Sequence, residues 1–349
     1  MTTEISNPVA WRRFLLALGL AAVLILAVAC SSDDKSDGAS PGSELVIYSG
    51  RSESLVDPLI KRFEEATGID AKVNYAGTGA LAATLLEEGD RSPADVFFAQ
   101  DPGGLGSVIE LVRPLPDDLT DRVPDWARSP DHLWVGVSGR ARTVVYNTDK
   151  LSQEDLPETL DGFTDPAWKG RIGWAPTNGS FQAMVTGMRL IWGEERTRAW
   201  LEGIVANEPR IYAKNTPTVA AAGSGEIEVG FVNHYYLHRF LAEEGEGFAA
   251  RNYFLPGGGP GSAVLVTGAG ILKMADNVAE AERFLDYLLS PDAQGYFADE
   301  TYEYPLIDGV PHAELLPGLS DLNTPDIDVS DLGDLAATQD LLREVGALP

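Results

Sequence analysis

The sequence predicts an α/β protein, and three observations carry that prediction. Short β-branched runs alternate with helical segments along the chain, the runs end in glycine or small polar residues, and the helical segments carry apolar residues at three- and four-residue spacing. "ELVIYSG" (44–50) reads as the first strand. "SLVDPLIKRFEEATG" then places Leu55, Leu59, Ile60 and Phe63 on one helical face, with Gly68 in the usual stop position. Pro58 falls early in that segment, where a helix tolerates it. "IDAKVNYAG", "GALAATLLEEGD" and "ADVFFAQ" continue as strand, helix, strand. Such alternation argues for a parallel sheet with helices on both faces, and the ligands of such sheets gather at the carboxyl ends of the strands. Those ends are Ser49 to Glu53, Gly77 to Gly79 and Gln100 to Gly104.

A second α/β region follows. "RIGWAP" and "RIYAKN" read as strands, "SFQAMVTGMRLIWG" and "TRAWLEGIVAN" as helices, and "AVLVTGAGIL" as a strand again. "NVAEAERFLDYLLSPDAQGYFAD" contains an amphipathic helix, and the acidic approach "DIDVSDLGD" leads into a C-terminal one. No internal repeat and no G-x-x-x-x-G-K-[ST] phosphate loop occurs; "GGGPG" (257–261) is turn-forming, with no strand–helix context around it.

The 349 residues, 44% hydrophobic, are enough for one large or two medium domains. A formal charge of −27 argues against nucleic acid as a partner and fits a soluble extracytoplasmic protein. At the N-terminus, Arg12 and Arg13 precede sixteen apolar or glycine positions, Phe14 to Ala29. That run is short for a spanning helix, which needs about 20 residues, and fits a signal peptide over 1–29. Ala27 and Ala29 precede Cys30, the single cysteine, in a pattern that resembles the lipobox of bacterial lipoproteins. Lipidation of Cys30, with the polar stretch 30–43 as a flexible tether, implies an extracytoplasmic protein anchored to the cell membrane. The mature chain then has no spare thiol for catalysis, a Cys-based zinc site or an intrachain disulfide.

Several stretches, in order, cover nearly the whole mature chain: "VIYSGRSE", "FEEATGI", "EEGDRSPADVFFAQD", "GVSGRARTVVYNTDKLS", "YAKNTPTVAAAGSGEIEVGFVNHYY" and "GGPGSAVLVTGAGIL". Together they resemble the periplasmic iron(III)-binding proteins of ferric ABC transporters, a branch of the type II solute-binding proteins. The resemblance implies a two-lobed periplasmic-binding-protein type II fold closing about a hinge of two crossing segments, near Gly136 to Arg142 and near Gly259 to Gly268. Residues 44–138 and 265–349 would form lobe 1, with part of the C-terminal helices free to pack on lobe 2, and 139–264 lobe 2. It also implies a monomer that captures Fe(III) with a synergistic anion (carbonate, phosphate or a carboxylate) and hands it to a permease and its ATPase.

Ferric ion prefers anionic oxygen donors, and a bound cation can displace the proton of a phenol. By the resemblance, "FVNHYY" supplies two phenolates, Tyr235 and Tyr236, and "GRARTVVYN" a third, Tyr146. Adjacent side chains diverge on a strand or helix, so the pair can serve one ion only at a turn; such a turn is expected between "VGFVN" and "YYLHRFLAEEG". Tyr146 also reads as a buried strand tyrosine. His234 and His238 read as neighbours of the site or as surface residues rather than ligands. Where many relatives place a first-lobe histidine or glutamate, this chain has Ser52 and Gln100, which leaves the adjacent Glu53 and Asp101 as candidate carboxylates. Both have plain alternatives, Glu53 as a first-turn helix acid and Asp101 as an N-cap. Matching positions for the anion are Ser138, Gly139, Asn215 and Asn233, with Arg140 adding positive charge. No catalytic constellation is visible, so an enzyme is not expected. Two other functions compete with iron capture: the same clamp for thiamine, a polyamine, a phosphonate or another small anion, and a surface adhesin or structural lipoprotein with no small ligand.

Overall fold

Why the chain divides into two lobes is visible in a single strand. "VGVSGRARTVVYN" forms β4 (Val135–Asn147), thirteen residues long and buried throughout, and it changes partners halfway along. Its first half runs antiparallel to β9 (Val264–Ile271), from Val135 opposite Ala269 to Ala141 opposite Val264. Its second half runs antiparallel to β7 (Val229–Asn233) and β8 (Ala250–Tyr253). β9 in turn pairs with β3 (Val96–Ala99). β4 and β9 are therefore the two crossing segments, and each lobe is a half-sheet hung on them.

The computed structural model describes residues 44–325, 327 and 329–349; the expected signal peptide, Cys30 and the tether lie outside the described residues. The described residues fall in one compact unit. Among them, no helix is long and apolar enough to cross a membrane.

On the first side, β1 (Glu44–Ser49) lies parallel to both β2 (Asp70–Tyr75) and β3. It is followed by the helices α1 (Glu53–Thr67), α2 (Thr78–Glu88), α3 (Pro102–Ser107) and the single turn α4 (Asp117–Thr120). α1 buries Leu55, Val56, Leu59, Ile60 and Phe63. It stops at Gly68, whose φ of 73° favours a residue without a Cβ and whose N–H bonds back to Glu64 O. On the second side, β5 (Ile172–Trp174) lies parallel to β6 (Arg210–Ile211) and β7. Its helices are α5 (Gly179–Trp192), α6 (Glu194–Ala206), α7 (Asn215–Gly223) and α8 (Tyr235–Glu244). The chain returns through α9 (Val278–Leu288) and α10 (Pro291–Asp299), which Leu289 and Ser290 separate, and ends in α11 (Leu335–Glu344).

The sheet order is β2-β1-β3-β9-β4-β7-β5-β6, with β8 on β4. The sheet is thus mixed rather than purely parallel. The parallel pairs expected from strand–helix alternation occupy the outer parts, and the antiparallel pairs arise where chains cross between lobes. β6 is only two residues long; of the rest of "RIYAKN", Ala213 and Lys214 bend and Asn215 opens α7. α11 packs away from β9: Leu341 and Leu342 join the second-lobe cluster around Trp174, Phe181 and Trp200.

Candidate functional site

The carboxyl ends of β1, β3 and β7 open on one cavity of about 740 Å³, and the Gly-rich turns after β1 and β2 line it. The first lobe contributes Arg51, Glu53, Thr78 and Asp101; the second contributes Asn178, Gly179, Gln182 and Tyr236. A second cavity, of about 460 Å³, lies beside β9 and is lined by Trp126, Val264, Leu319 and Leu332 among others, with no titratable side chain. A third, of about 480 Å³, carries His238, Glu246 and Arg251, but neither tyrosine of the adjacent pair lines it, whereas Tyr236 lines the first.

β7 ends at Asn233, and α8 starts two residues later, so Tyr235 and Tyr236 occupy the first turn of a helix directly after a strand end. Their rings stack, with centroids 4.2 Å apart and planes 29° apart. Tyr236 faces the cavity. Tyr235 is fully buried and its hydroxyl has no hydrogen-bond partner. Burial holds its phenol well above the ordinary tyrosine range, and the neighbouring Tyr236 adds to this; Arg51 and Arg140 pull the other way.

Three fully buried arginines surround the pair. The Arg51 guanidinium lies 6.0 Å from the centre of the Tyr235 ring and is ion-paired to Glu303. Burial works against its charge, but Glu303 together with Tyr235 and Tyr236 more than offsets this and its pKa is raised. Arg142 donates to Asn233 Oδ1 at 2.8 Å, and Arg140 to Val266 O at 2.9 Å. Burial depresses both, with Arg142 down to about 9, where Arg140 adds repulsion. Arg51 Nε, Arg140 Nε and Nη1, and Arg142 Nε and Nη2 remain unpartnered, as do Asn215 Oδ1 and Asn233 Nδ2. Buried polar groups in folded proteins are normally bonded. So many unpaired donors around two phenols are chemically suited to an anion held beside a cation.

The first-lobe carboxylates differ in kind. Asp101 caps α3, with Oδ1 accepting from Gly104 N at 3.1 Å, while Oδ2 is buried and unpartnered. Burial raises its pKa and Arg140 counteracts. A Cβ placed on Gly179 would lie 2.5 Å from that Oδ2, so Asp101 meets the N-terminus of α5 across the cleft. Glu53 stands exposed in the first turn of α1, at the cavity edge.

Several expected residues are elsewhere or already engaged. Tyr146 pairs across the sheet with Val229, four positions along β4 from the Arg142–Asn233 pair. Its ring belongs to the second-lobe apolar cluster and does not line the cavity; at about 3.3 Å per strand residue, it does not join the tyrosine pair. Ser138 Oγ bonds Thr267 Oγ1 at 2.9 Å and Glu303 Oε2 at 2.5 Å, and Gly139 N–H donates to Tyr304 O at 2.7 Å. Neither offers a free donor, because both lie where the crossing strands are tied to the 302–304 segment. His234 Nε2 contacts Tyr302 O at 2.7 Å, its Nδ1 lies against Ala141, and burial depresses its pKa to about 4. His238 lines a separate depression with Asn252 and Tyr302. Among the described residues, no group of three or more His, Cys, Asp or Glu side chains could hold a metal, so an ion here would depend on phenolates.

Arg51, Arg142 and Glu303 also shape the site without being expected from the sequence, although Arg142 carried a signal. "VGVSGRARTVVYN" sets two arginines in an otherwise apolar strand, and buried arginines demand partners.

Residues 49–295 match the family described as bacterial extracellular solute-binding protein. The chain is 34% identical over 312 residues to the major ferric iron-binding protein of Neisseria meningitidis serogroup B, a match covering 87% of this chain and 93% of that protein. Among solved structures, iron-bound HitA from Pseudomonas aeruginosa is 31% identical with a TM-score of 0.84, over 87% of this chain and 99% of that one. A Trichodesmium protein in complex with iron and citrate is 29% identical with a TM-score of 0.73, over 87% and 99%.

Proposed function

Because the chain belongs to the bacterial extracellular solute-binding protein family, we propose that it captures ferric ion outside the cytoplasm and delivers it to an ABC-transporter permease. Relatives of similar length named for ferric binding support this reading. The observation that carries it is the stacked pair Tyr235–Tyr236, with one hydroxyl buried and unpartnered among three arginines.

In this reading the ion displaces both phenolic protons and binds two phenolate oxygens. The charges then balance: the three guanidiniums are offset by Glu303 and the two phenolates, and the triply charged ion by a dianion plus the Asp101 carboxylate. Arg140, Arg142 and Asn233 hold the anion (carbonate, phosphate or a carboxylate) through their unpartnered N–H donors; Asn215 keeps free only its acceptor Oδ1 and gives the anion no N–H. Asp101 is the first-lobe ligand and Glu53 tunes the rim. Ligand contacts from both lobes favour the closed form, and losing them releases the ion. Lipidation at Cys30 would keep the monomer at the membrane beside its permease.

A visible-absorbance titration of metal-stripped protein with a ferric chelate tests the reading. A phenolate-to-iron band saturating near one ion per chain, and lost in Tyr235→Phe and Tyr236→Phe, is expected. Absence of the band, with stabilisation by an organic cation or anion instead, would transfer the clamp to another solute.

A further inference from the structure

The cavity has a third wall, built by the C-terminal helix that packs on the second lobe. Leu335 and Gln339, from α11, line it together with Tyr236 and Asp101. Just before them, the 3₁₀ turn Val329–Gly333 lies on α3, half of whose sequence "PGGLGS" is glycine. A Cβ on Gly106 would lie 2.5 Å from Gly333 Cα, and one on Gly103 3.0 Å from Leu332 O, so backbone rests directly on backbone. Leu332 is fully buried beneath the turn.

On its other side this segment is bolted to α5. Thr338 Oγ1 bonds Thr186 Oγ1 at 2.7 Å, Arg189 pairs with Asp334 at 3.0 Å and donates to Thr338 Oγ1 at 3.0 Å, and Gln339 Nε2 donates to Gln182 Oε1 at 3.2 Å. The glycine seat fixes the height of the wall and the hydrogen bonds fix its lateral position. Much of the remaining lining is small: Gly50, Ser52, Gly77, Gly79, Ala80 and Gly179. A bulky ligand therefore meets a wall that cannot retreat.

We propose that the segment 329–344 sizes the ligand, with Gln339 and Leu335 as specificity-determining residues. They set how large an anion or chelator accompanies the metal. The cavity, at about 740 Å³, exceeds what one ion and a three- or four-atom anion occupy, since a water's share of volume is about 30 Å³. It admits a hydroxycarboxylate chelator, and the wall caps the size beyond that. This inference rests on the ferric reading above.

The test compares two ferric complexes on the full chain, one formed in bicarbonate and one with radiolabelled citrate. Half-saturation is read from the phenolate band and citrate retention from co-elution. Gln339→Trp is expected to lower the citrate-to-bicarbonate affinity ratio at least tenfold. Gln339→Ala, which truncates a side chain that lines the cavity, is expected to raise the ratio about threefold. Opposite signs from enlarging and from truncating one side chain are not expected of general destabilisation. If Gln339→Trp fails to fold, the sign of the Gln339→Ala change decides. A ratio unmoved in both variants, with the wild-type band intact, overturns the sizing role alone. No band in the wild-type protein with either complex overturns the ferric reading, and the sizing role with it.

Discussion

The two sides of the cavity are built in different ways. The second-lobe side is rigid and prepaid: Tyr235, Arg142, Asn215 and Asn233 are almost wholly buried, held by a strand end and by one another. The first-lobe side is made of turns and helix starts, Gly50–Ser54 and Gly77–Ala80, where Gly50, Arg51, Thr78 and the nearby Asp101 are buried but Ser52, Glu53, Ser54, Gly77, Gly79 and Ala80 are exposed. A clamp needs this asymmetry. The side that binds first must be organised before the ion arrives, and the side that arrives with closure contributes few, late contacts.

The comparison breaks most readily at Tyr235. Tyr235→Phe is expected to weaken ferric affinity by at least a thousandfold while leaving the metal-free protein as stable or about 1 kcal/mol more stable, since it removes a buried hydroxyl without a partner. Titration and denaturant melts check both halves; a large loss of stability would mean the hydroxyl has a structural role. On the opposite side, Asp101→Asn is expected to cost roughly tenfold in affinity at unchanged stability. Asparagine caps a helix as well as aspartate does, so this variant separates the charge from the cap on α3. Glu53→Gln, exposed at the rim, is expected to change affinity less than threefold in isothermal titration.

The last effect is on stability rather than affinity and concerns the neighbour of the pair. His234 is buried and depressed to about 4, against about 6.5 when unfolded. The unfolded chain takes a proton in that window and the folded one does not, so stability is full above pH 6.5 and falls as pH drops toward 4. The fall is on the order of 3 kcal/mol at most, and His238, depressed to about 3, acts in the same sense. Melting curves of metal-free protein at pH 7 and 4.5 should differ less in His234→Asn; an identical difference would exclude His234 as the cause.

Much of this architecture was legible in the chain. Apolar spacing in "SLVDPLIKRFEEATG" gave α1 and its stop at Gly68, and "VGFVN" running into "YYLHRFLAEEG" gave the strand–helix turn that brings both phenols to one place. Local pattern reaches no further than local structure. Whether Ser138 and Gly139 offered free donors depended on Glu303 and on Tyr304, each 165 positions further along. Tyr146 and Tyr235 are both tyrosines near strand residues, and only register, with Tyr146 opposite Val229 and Arg142 opposite Asn233, separates the core residue from the cavity neighbourhood. The third wall rests on glycines of α3 meeting Gly333, a contact with no periodic signature at all.

The most direct measurement is an anomalous difference map, collected at the iron edge, from crystals of the ferric-loaded protein. A single strong peak bonded to both the Tyr235 and Tyr236 phenolate oxygens is expected, with extra density for an anion against Arg140 and Arg142. A peak bonded to neither oxygen, or a cavity filled by an organic solute with no iron signal, would contradict ferric capture by this pair.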